Sequence, residues 1–135
     1  MDTPALIQAA LDARQKAYAP YSKFRVGAAL LSRDGTVYRG CNVENASYPV
    51  CCCAERTALF KAVSEGVRDF ESVAVVGGAE QENETLSTLA MPCGMCRQAL
   101  AEFGLDIGVI VARSTTDYTV HKLGDLLPHS FVLNG

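Results

Sequence analysis

The sequence predicts an α/β fold in which helices cover both faces of a mixed β-sheet. Its 135 residues suit a single domain built around one core. Segments with helical periodicity alternate with short apolar runs in the order α-β-β-α-β-α-β-β. Because crossovers between parallel strands are right-handed, this order places helices on both sides of the sheet. No internal repeat or boundary interrupts residues 1–135, so we expect one domain.

The N-terminal third predicts a helix followed by a β-hairpin. Thr3 is a suitable N-cap and Pro4 suits the first helical position. Small apolar residues then recur at helical spacing to about residue 18. An apolar run at 24–31 predicts a central strand, and an Asp-Gly turn leads from it into a returning strand at 36–41.

The remainder predicts alternating helices and strands. A polar connector that carries three glutamates is expected to be a solvated loop. Glycines that follow the helical patterns are natural helix stops. The predicted elements are a helix at 53–66, a strand at 72–76, the connector at 79–90, a helix at 93–103, a strand at 107–112, an edge strand at 118–121 and one helical turn at 123–127.

Composition excludes several classes of function. The net charge is −3 and the basic residues are scattered singly, which disfavours a polynucleotide partner. No apolar run approaches the roughly 18 residues of a membrane span. The N-terminus lacks the basic and apolar regions of a signal peptide, so we expect a cytoplasmic protein with no membrane partner. In a reducing compartment, six cysteines of which three are consecutive are expected to bind metal or do chemistry.

Three cysteines stand at the starts of the second and third predicted helices. A helix N-terminus lowers the pKa of a thiol, and the thiolate is the form that binds metal. The Cys-x-x-Cys spacing of Cys93 and Cys96 lets two thiolates reach one ion, and Cys53 supplies a third from another helix. Three protein ligands leave a fourth tetrahedral position for water, which is the arrangement of catalytic zinc. The pattern therefore predicts a zinc site that activates water.

Two neighbours of Cys53 suit this chemistry. Glu55 is a carboxylate that does not bind the metal and can carry protons beside it. Arg56 is placed to donate to the thiolates and offset their negative charge. Two alternatives stay open: a closed structural site with Cys51 or Cys52 as fourth ligand, and a redox Cys-x-x-Cys pair. Without a metal beside it, Glu55 would be an ordinary exposed helix residue.

The end of the hairpin presents a second candidate group. Asn42 and Glu44 are two apart in an extended segment, so their side chains face the same way and suit neighbouring sugar hydroxyls. The alternative is a polar turn whose side chains cap nearby backbone. Phe24 and Tyr48 would be core or edge aromatics unless the site has to stack on a ring.

These motifs resemble those of the short, homotetrameric cytidine deaminases. A ligand-x-Glu run followed by Pro-Cys-x-x-Cys is the zinc deaminase signature, here in its all-cysteine form. The Asn-x-Glu-Asn and Cys-Ala-Glu-Arg-Thr segments are more specific than Pro-Cys-x-x-Cys alone. Arg25, where family members often have proline, and Cys52, which makes a triple cysteine, depart from the pattern. The matching segments, which span most of the chain, are 21–24, 42–45, 53–58, 92–98, 126–128 and Phe131.

The resemblance implies a three-layer α/β/α sandwich around a five-stranded mixed sheet. It implies one zinc per subunit, a homotetramer and active sites at subunit interfaces. The roles it implies are zinc ligation by Cys53, Cys93 and Cys96, proton shuttling by Glu55, ribose binding by Asn42 and Glu44, base contacts by the Ala54 backbone and Phe24, and a part for Tyr48 and Phe131 in a neighbouring subunit's site.

The resulting hypothesis is hydrolytic deamination of cytidine and deoxycytidine to uridine and deoxyuridine, with release of ammonia, in pyrimidine salvage. Another aminopyrimidine nucleoside, such as an antibiotic analogue, is an alternative substrate. An edited base in RNA is disfavoured by the lack of basic clustering. A non-catalytic zinc module is the alternative from a different class.

Overall fold

The structure, a computed structural model, describes residues 1–133. Five strands form one sheet in the order β2-β1-β3-β4-β5, in which β3 and β4 are parallel and the other neighbours are antiparallel. The expected mixed sheet is therefore confirmed. The elements are α1 (Thr3–Arg14), β1 (Phe24–Ser32), β2 (Val37–Cys41), a 3₁₀ turn (Tyr48–Val50), α2 (Ala54–Ser64), β3 (Phe70–Ala79), α3 (Gly94–Ala101), β4 (Gly108–Ser114), β5 (Asp117–Lys122) and α4 (Leu123–Leu126).

Helices cover both faces of the sheet, as expected. Helix α1 packs alone on one face, where its Leu6, Ile7 and Leu11 bury small strand residues. The other face carries α2 and α3, with Leu59 and Leu100 in its buried cluster. This three-layer arrangement leaves one side of the sheet for a single helix and gives the other side to the two helices whose starts carry the cysteines.

The first helix differs from the prediction at both ends. Its N-cap is Asp2, whose side chain accepts a hydrogen bond from the Ala5 N–H at 2.9 Å, so the expected cap at Thr3 is wrong. Asp2 has the stronger capping side chain and still leaves Thr3 and Pro4 in the first turn. The helix ends at Arg14 rather than near residue 18, because the next residues turn towards the end of the hairpin.

Strand β3 is twice as long as predicted. The prediction ended it before the Gly77-Gly78 pair, but antiparallel pairing with β1 continues to Phe24 opposite Ala79. Backbone pairing with β1 outweighs the low strand propensity of the two glycines.

Helix α2 lies close against β2 at Gly40. A Cβ atom there would collide with the Ala54 carbonyl oxygen and with the Ala58 backbone nitrogen. Only glycine permits this approach. The contact places the first turn of α2, and with it Cys53, directly over the edge of the sheet. No helix among residues 1–133 is long and apolar enough to cross a membrane.

Candidate active site

Three cysteine thiols meet where α2 and α3 begin. Cys53 is the N-cap of α2, Cys93 is the N-cap of α3, and Cys96 lies buried in the first turn of α3. The Sγ atoms of Cys53 and Cys93 are 3.7 Å apart, and those of Cys93 and Cys96 are 3.5 Å apart. All three lie within 4.8 Å of one another. The spacing prediction for these three residues thus matches their geometry.

The three thiols fit one tetrahedral metal ion. Zinc–sulfur bonds are about 2.3 Å long, so two sulfurs on one tetrahedral zinc stand roughly 3.8 Å apart. The observed 3.5 and 3.7 Å separations are close to that value and too long for a disulfide. The donor set and its spacing therefore suit zinc with one coordination position free of protein sulfur.

The other two consecutive cysteines point elsewhere. The Cys52 Sγ accepts a hydrogen bond from the Thr57 hydroxyl at 3.6 Å, and the Cys51 Sγ accepts one from the Asn45 N–H at 3.2 Å. Among the described residues, neither joins the metal-sized thiol cluster. Within residues 1–133 the cluster therefore holds three thiols, one fewer than a closed four-thiolate site requires.

The electrostatics favour a thiolate at Cys53. The pKa of Cys53 is lowered to about 5, first by the nearby Cys96 thiol and then by Arg56, whose Nη2 donates to the Cys53 Sγ at 3.6 Å. The pKa of Cys96 is raised by the same interaction with Cys53 and by burial. The pKa of Arg56 is raised, chiefly by its hydrogen bond to Cys53. Arg56 thus contacts the cluster as the sequence predicted.

Glu55 is buried beside the thiols and is not an exposed helix residue. Its side chain is 4% exposed. Burial raises the pKa of Glu55, and the adjacent Cys53 thiolate raises it further. A raised pKa suits a carboxylate that must both accept and donate a proton near neutral pH.

Glu55 faces a cavity of about 230 Å³, which we call the Glu55 cavity. Its wall combines two cysteines of the cluster, Cys53 and Cys93, with apolar residues from the sheet and from the segment before α3. Ala90 and Met91 were not anticipated, since nothing in the local sequence marks them. The lining residues are Phe24, Val26, Cys53, Ala54, Glu55, Val75, Ala90, Met91 and Cys93.

A second cavity of about 400 Å³ adjoins the first, and we call it the Glu44 cavity. The two cavities share Cys53 in their walls. They adjoin because Val43 and Cys52 exchange both backbone hydrogen bonds, each 2.9 Å long, which draws the hairpin end against the start of α2. The Glu44 cavity is lined by Tyr21, Ser22, Asn42, Glu44, Tyr48, Cys51, Cys52 and Cys53.

The polar side chains of the Glu44 cavity also bind the backbone. Asn42 accepts from the Val26 N–H and donates to the Phe24 carbonyl, both at 2.9 Å, so its amide substitutes for a strand residue beside β1. Glu44 accepts from the N–H groups of Tyr21 and Ser22 at 3.0 and 3.1 Å. Asn42 and Glu44 thus make the backbone-capping contacts that the sequence offered as an alternative to sugar binding. Each side chain can still form further hydrogen bonds.

Ser22 is a contact that sequence analysis missed. Its hydroxyl donates to the second carboxylate oxygen of Glu44 and accepts from the Phe24 N–H. Desolvation would raise the pKa of Glu44, but these hydrogen bonds from Ser22 and Tyr21 lower it. The carboxylate therefore stays charged at neutral pH.

The two aromatic residues assigned to a neighbouring site are exposed. Tyr48 lines the Glu44 cavity at 70% exposure, and Phe131 lies apart from both cavities at 68% exposure. The Phe131 backbone is bound on both sides by the Gln98 side-chain amide, at 3.0 and 3.1 Å. One chain thus brings together the other predicted site residues and leaves Phe131 outside.

Comparisons with known proteins agree with this geometry. Residues 2–112 match the family model described as the cytidine and deoxycytidylate deaminase zinc-binding region. A cytidine deaminase from Sporosarcina psychrophila is 48% identical over 132 residues, which are 97% of this chain and 92% of the relative.

Solved structures show the same similarity. The crystal structure of cytidine deaminase from Burkholderia pseudomallei has a TM-score of 0.87 and 50% identity, covering 97% of this chain and 100% of that one. The cytidine deaminase structure from Mycobacterium tuberculosis has a TM-score of 0.82 and 38% identity, covering 98% and 99% of the two chains.

Proposed function

The chain belongs to the cytidine and deoxycytidylate deaminase family, and we propose that it hydrolyses cytidine and deoxycytidine to uridine, deoxyuridine and ammonia. The observation that carries the proposal is the buried Glu55 carboxylate, which shares one cavity with Cys53 and Cys93, two of the three metal-spaced thiols. That combination supplies an acid–base group and an open metal position at the same place, as hydrolysis of an amidine requires.

Cys53, Cys93 and Cys96 would hold one zinc ion per chain. Their sulfur spacing supports this assignment, as does the zinc-binding description of the matching family. When bound by three protein ligands, zinc supplies Lewis acidity that lowers the pKa of a water in the remaining position. The negative charge of three thiolates makes the zinc a weaker Lewis acid. Arg56 offsets part of that negative charge through its hydrogen bond to Cys53.

Glu55 is the proposed proton carrier. It takes a proton from the attacking water and delivers it to N3 of the pyrimidine as oxygen bonds to C4. It then carries the remaining hydroxyl proton to the amino group, so that the C4–N bond breaks, a C4 carbonyl forms and ammonia leaves. One water is consumed for each ammonia released. The burial that raises the pKa of Glu55 makes both transfers accessible near neutral pH.

The two adjoining cavities suit the two halves of a nucleoside. In the Glu55 cavity, the Phe24 ring and the Ala54 backbone would contact the pyrimidine. In the Glu44 cavity, Asn42 and Glu44 would receive the sugar hydroxyls, since the carboxylate is charged and retains acceptor capacity. With the sugar in the second cavity, the shared wall at Cys53 would bring the base against the thiols.

We propose further that the protein is a cytoplasmic homotetramer that acts in pyrimidine salvage. The exposure of Tyr48 and Phe131 supports an assembly in which each completes a neighbouring subunit's site. With no cluster of basic residues in the sequence, a nucleic-acid partner is not expected. Residues 1–135 form the single domain of this proposal.

Ammonia release from cytidine by the purified, zinc-loaded protein tests the proposal directly. We expect stoichiometric uridine and ammonia, and X-ray absorption at the zinc edge should report three sulfur ligands and one lighter ligand. If ammonia is released only from a different aminopyrimidine nucleoside, that nucleoside and not cytidine is the substrate. Four sulfur ligands with no release from any nucleoside would identify a structural zinc module instead.

A further inference from the structure

Arg14, the last residue of α1, carries a charge yet is only 1% exposed. Its guanidinium donates to four backbone carbonyls and to no carboxylate. The Nε group donates to Arg25 O at 3.0 Å, Nη1 donates to Glu82 O at 2.8 Å, and Nη2 donates to Gly78 O and Ala79 O at 3.0 and 2.5 Å. One side chain thus joins the start of β1, the end of β3 and the connector that follows β3.

Two of these carbonyls belong to a cross-strand pair. Arg25 on β1 stands directly opposite Gly78 on β3. Side chains alternate along a strand, so the residues next to this pair, Phe24 on β1 and Gly77 on β3, face the opposite side of the sheet. The Glu55 cavity lies on that side. There the Phe24 ring lies against Gly77, since a Cβ on Gly77 would come within 3.0 Å of that ring.

The third contact, at the Glu82 carbonyl, reaches the connector that leads to the wall of the same cavity. The carboxylate of Glu82 accepts from the N–H groups of Ala79 and Ser87, at 3.2 and 3.0 Å, so it folds the connector around itself. Arg14 holds this folded unit through the Glu82 carbonyl. The connector then runs to Ala90, which lines the Glu55 cavity. A Cβ on Gly77 would come within 2.7 Å of the Ala90 Cβ.

We propose that Arg14 is a positioning residue for the deamination: from the far side of the sheet it fixes the strand ends and the connector that hold Phe24 and Ala90 around the substrate base. The inference rests on the proposed function, because the base is what Phe24 would contact. Arg14 itself touches neither cavity. Its effect therefore passes through the backbone of Arg25, Gly78 and Glu82.

A comparison of Arg14→Met with Leu6→Ala in the full-length, zinc-loaded protein separates positioning from general stability. Leu6 is equally buried in α1, belongs to the apolar cluster on that face and makes none of the hydrogen bonds to the strand ends, which makes it the matched control. For Arg14→Met we expect KM for cytidine to rise by about 10-fold with kcat changed by less than about 3-fold, because a displaced stacking group weakens substrate positioning. Leu6→Ala should lower Tm and leave KM unchanged.

Chemical rescue and a conservative variant sharpen the test. Millimolar guanidinium should bring the KM of Arg14→Ala back towards wild type by filling the vacated position. Arg14→Lys should still raise KM by at least about 3-fold, because a compact ammonium with three donors cannot span four carbonyls. If Arg14→Met does not fold, the lysine variant decides the matter. An unchanged KM in whichever of the two folds, or an equal shift in Leu6→Ala, overturns the inference.

Hydrogen exchange gives a readout that does not depend on turnover. Amides at 24–26 and 77–82 should exchange faster in Arg14→Met, and in Arg14→Lys, than in Leu6→Ala. If the wild-type protein releases no ammonia from cytidine, the proposed function fails, and exchange at these amides alone then decides whether Arg14 fixes the strand ends. Unchanged exchange there would overturn the positioning role whatever the activity.

Discussion

The Glu55 cavity and the Glu44 cavity share a wall at Cys53 but differ in how completely one chain builds them. Around Glu55, the reactive groups are held by two helix starts, and the carboxylate is almost fully buried. Around Glu44, the wall includes Tyr48, which is largely exposed. From this difference we expect one chain to fix the groups proposed for bond breaking, and we expect a neighbouring chain to complete the wall around the sugar.

Substitutions in the two cavities are expected to reduce activity to different extents. Groups of the Glu55 cavity should be indispensable within a single chain. Groups of the Glu44 cavity should tune binding. Phe131, which lies outside both cavities, should act only in an assembly.

The largest effect is expected from Cys96→Ser, which removes the buried member of the thiol cluster. Loss of one ligand should reduce zinc from one per chain to well below that and bring cytidine turnover to background. Because metal binding contributes folding free energy, Tm should also fall. Zinc content measured by mass spectrometry, with Cys51→Ser as control, checks this. Full zinc in Cys96→Ser, or its loss in Cys51→Ser, would contradict the assigned ligands.

Glu55→Gln should abolish proton transfer while keeping the cluster intact. We expect kcat to fall by about 10²- to 10⁴-fold, the usual contribution of a positioned acid–base group, with zinc content unchanged. Glu65→Gln, at the exposed C-terminal end of the same helix, is the matched control. Near-normal kcat in a zinc-loaded Glu55→Gln protein would remove Glu55 from the mechanism.

Glu44→Ala should affect substrate binding more than folding. Loss of a charged acceptor for the sugar hydroxyls is expected to lower kcat/KM for cytidine by about 10- to 100-fold. The Tyr21–Ser22 turn loses its cap, so Tm is measured alongside. Glu84→Ala, in the exposed connector, serves as control. A cytidine kcat/KM equal to wild type would show that the sugar does not contact Glu44.

Phe131→Ala should have the smallest effect, because the ring supplies only apolar closure. We expect a roughly 2- to 10-fold loss of kcat/KM, the range of a single aromatic contact. Val120→Ala, an exposed apolar residue on β5, should have no effect. If Phe131 acts in a neighbouring site, adding Glu55→Gln chains to a fixed amount of Phe131→Ala chains should raise the activity per Phe131→Ala chain. A purely additive mixture would place Phe131 in its own subunit or outside the site.

The metal cluster could be predicted from the sequence because its geometry is mostly local. Cys93 and Cys96 share one helical turn, and their spacing alone brings two sulfurs to one ion. The proposed role of Glu55 was inferred from its position beside Cys53, and the structure buries its side chain in the cavity that Cys53 lines. The α/β class and the element order followed from hydrophobic periodicity, which survives errors of several residues in element ends.

The parts that could not be predicted depend on contacts between distant segments. Arg14 reads as an ordinary basic residue at a helix end, and its acceptors at Gly78 and Glu82 lie 64 and 68 residues away. The continuation of β3 through Gly77 likewise depends on β1 being present as a partner. Ser22 gives no sequence signal because a serine in a loop has many possible acceptors.

The side chain of Asn42 occupies the hydrogen-bonding place of a strand residue next to β1, and this has a consequence for folding fidelity. A slip of one residue between β1 and β2 would break both hydrogen bonds of the Asn42 amide, to the Val26 N–H and to the Phe24 carbonyl. The same slip would turn the side chains proposed to bind the sugar to the wrong side of the sheet. Substrate turnover is therefore expected to report hairpin register, because a misregistered chain would also lose the contact at Gly40 that places Cys53.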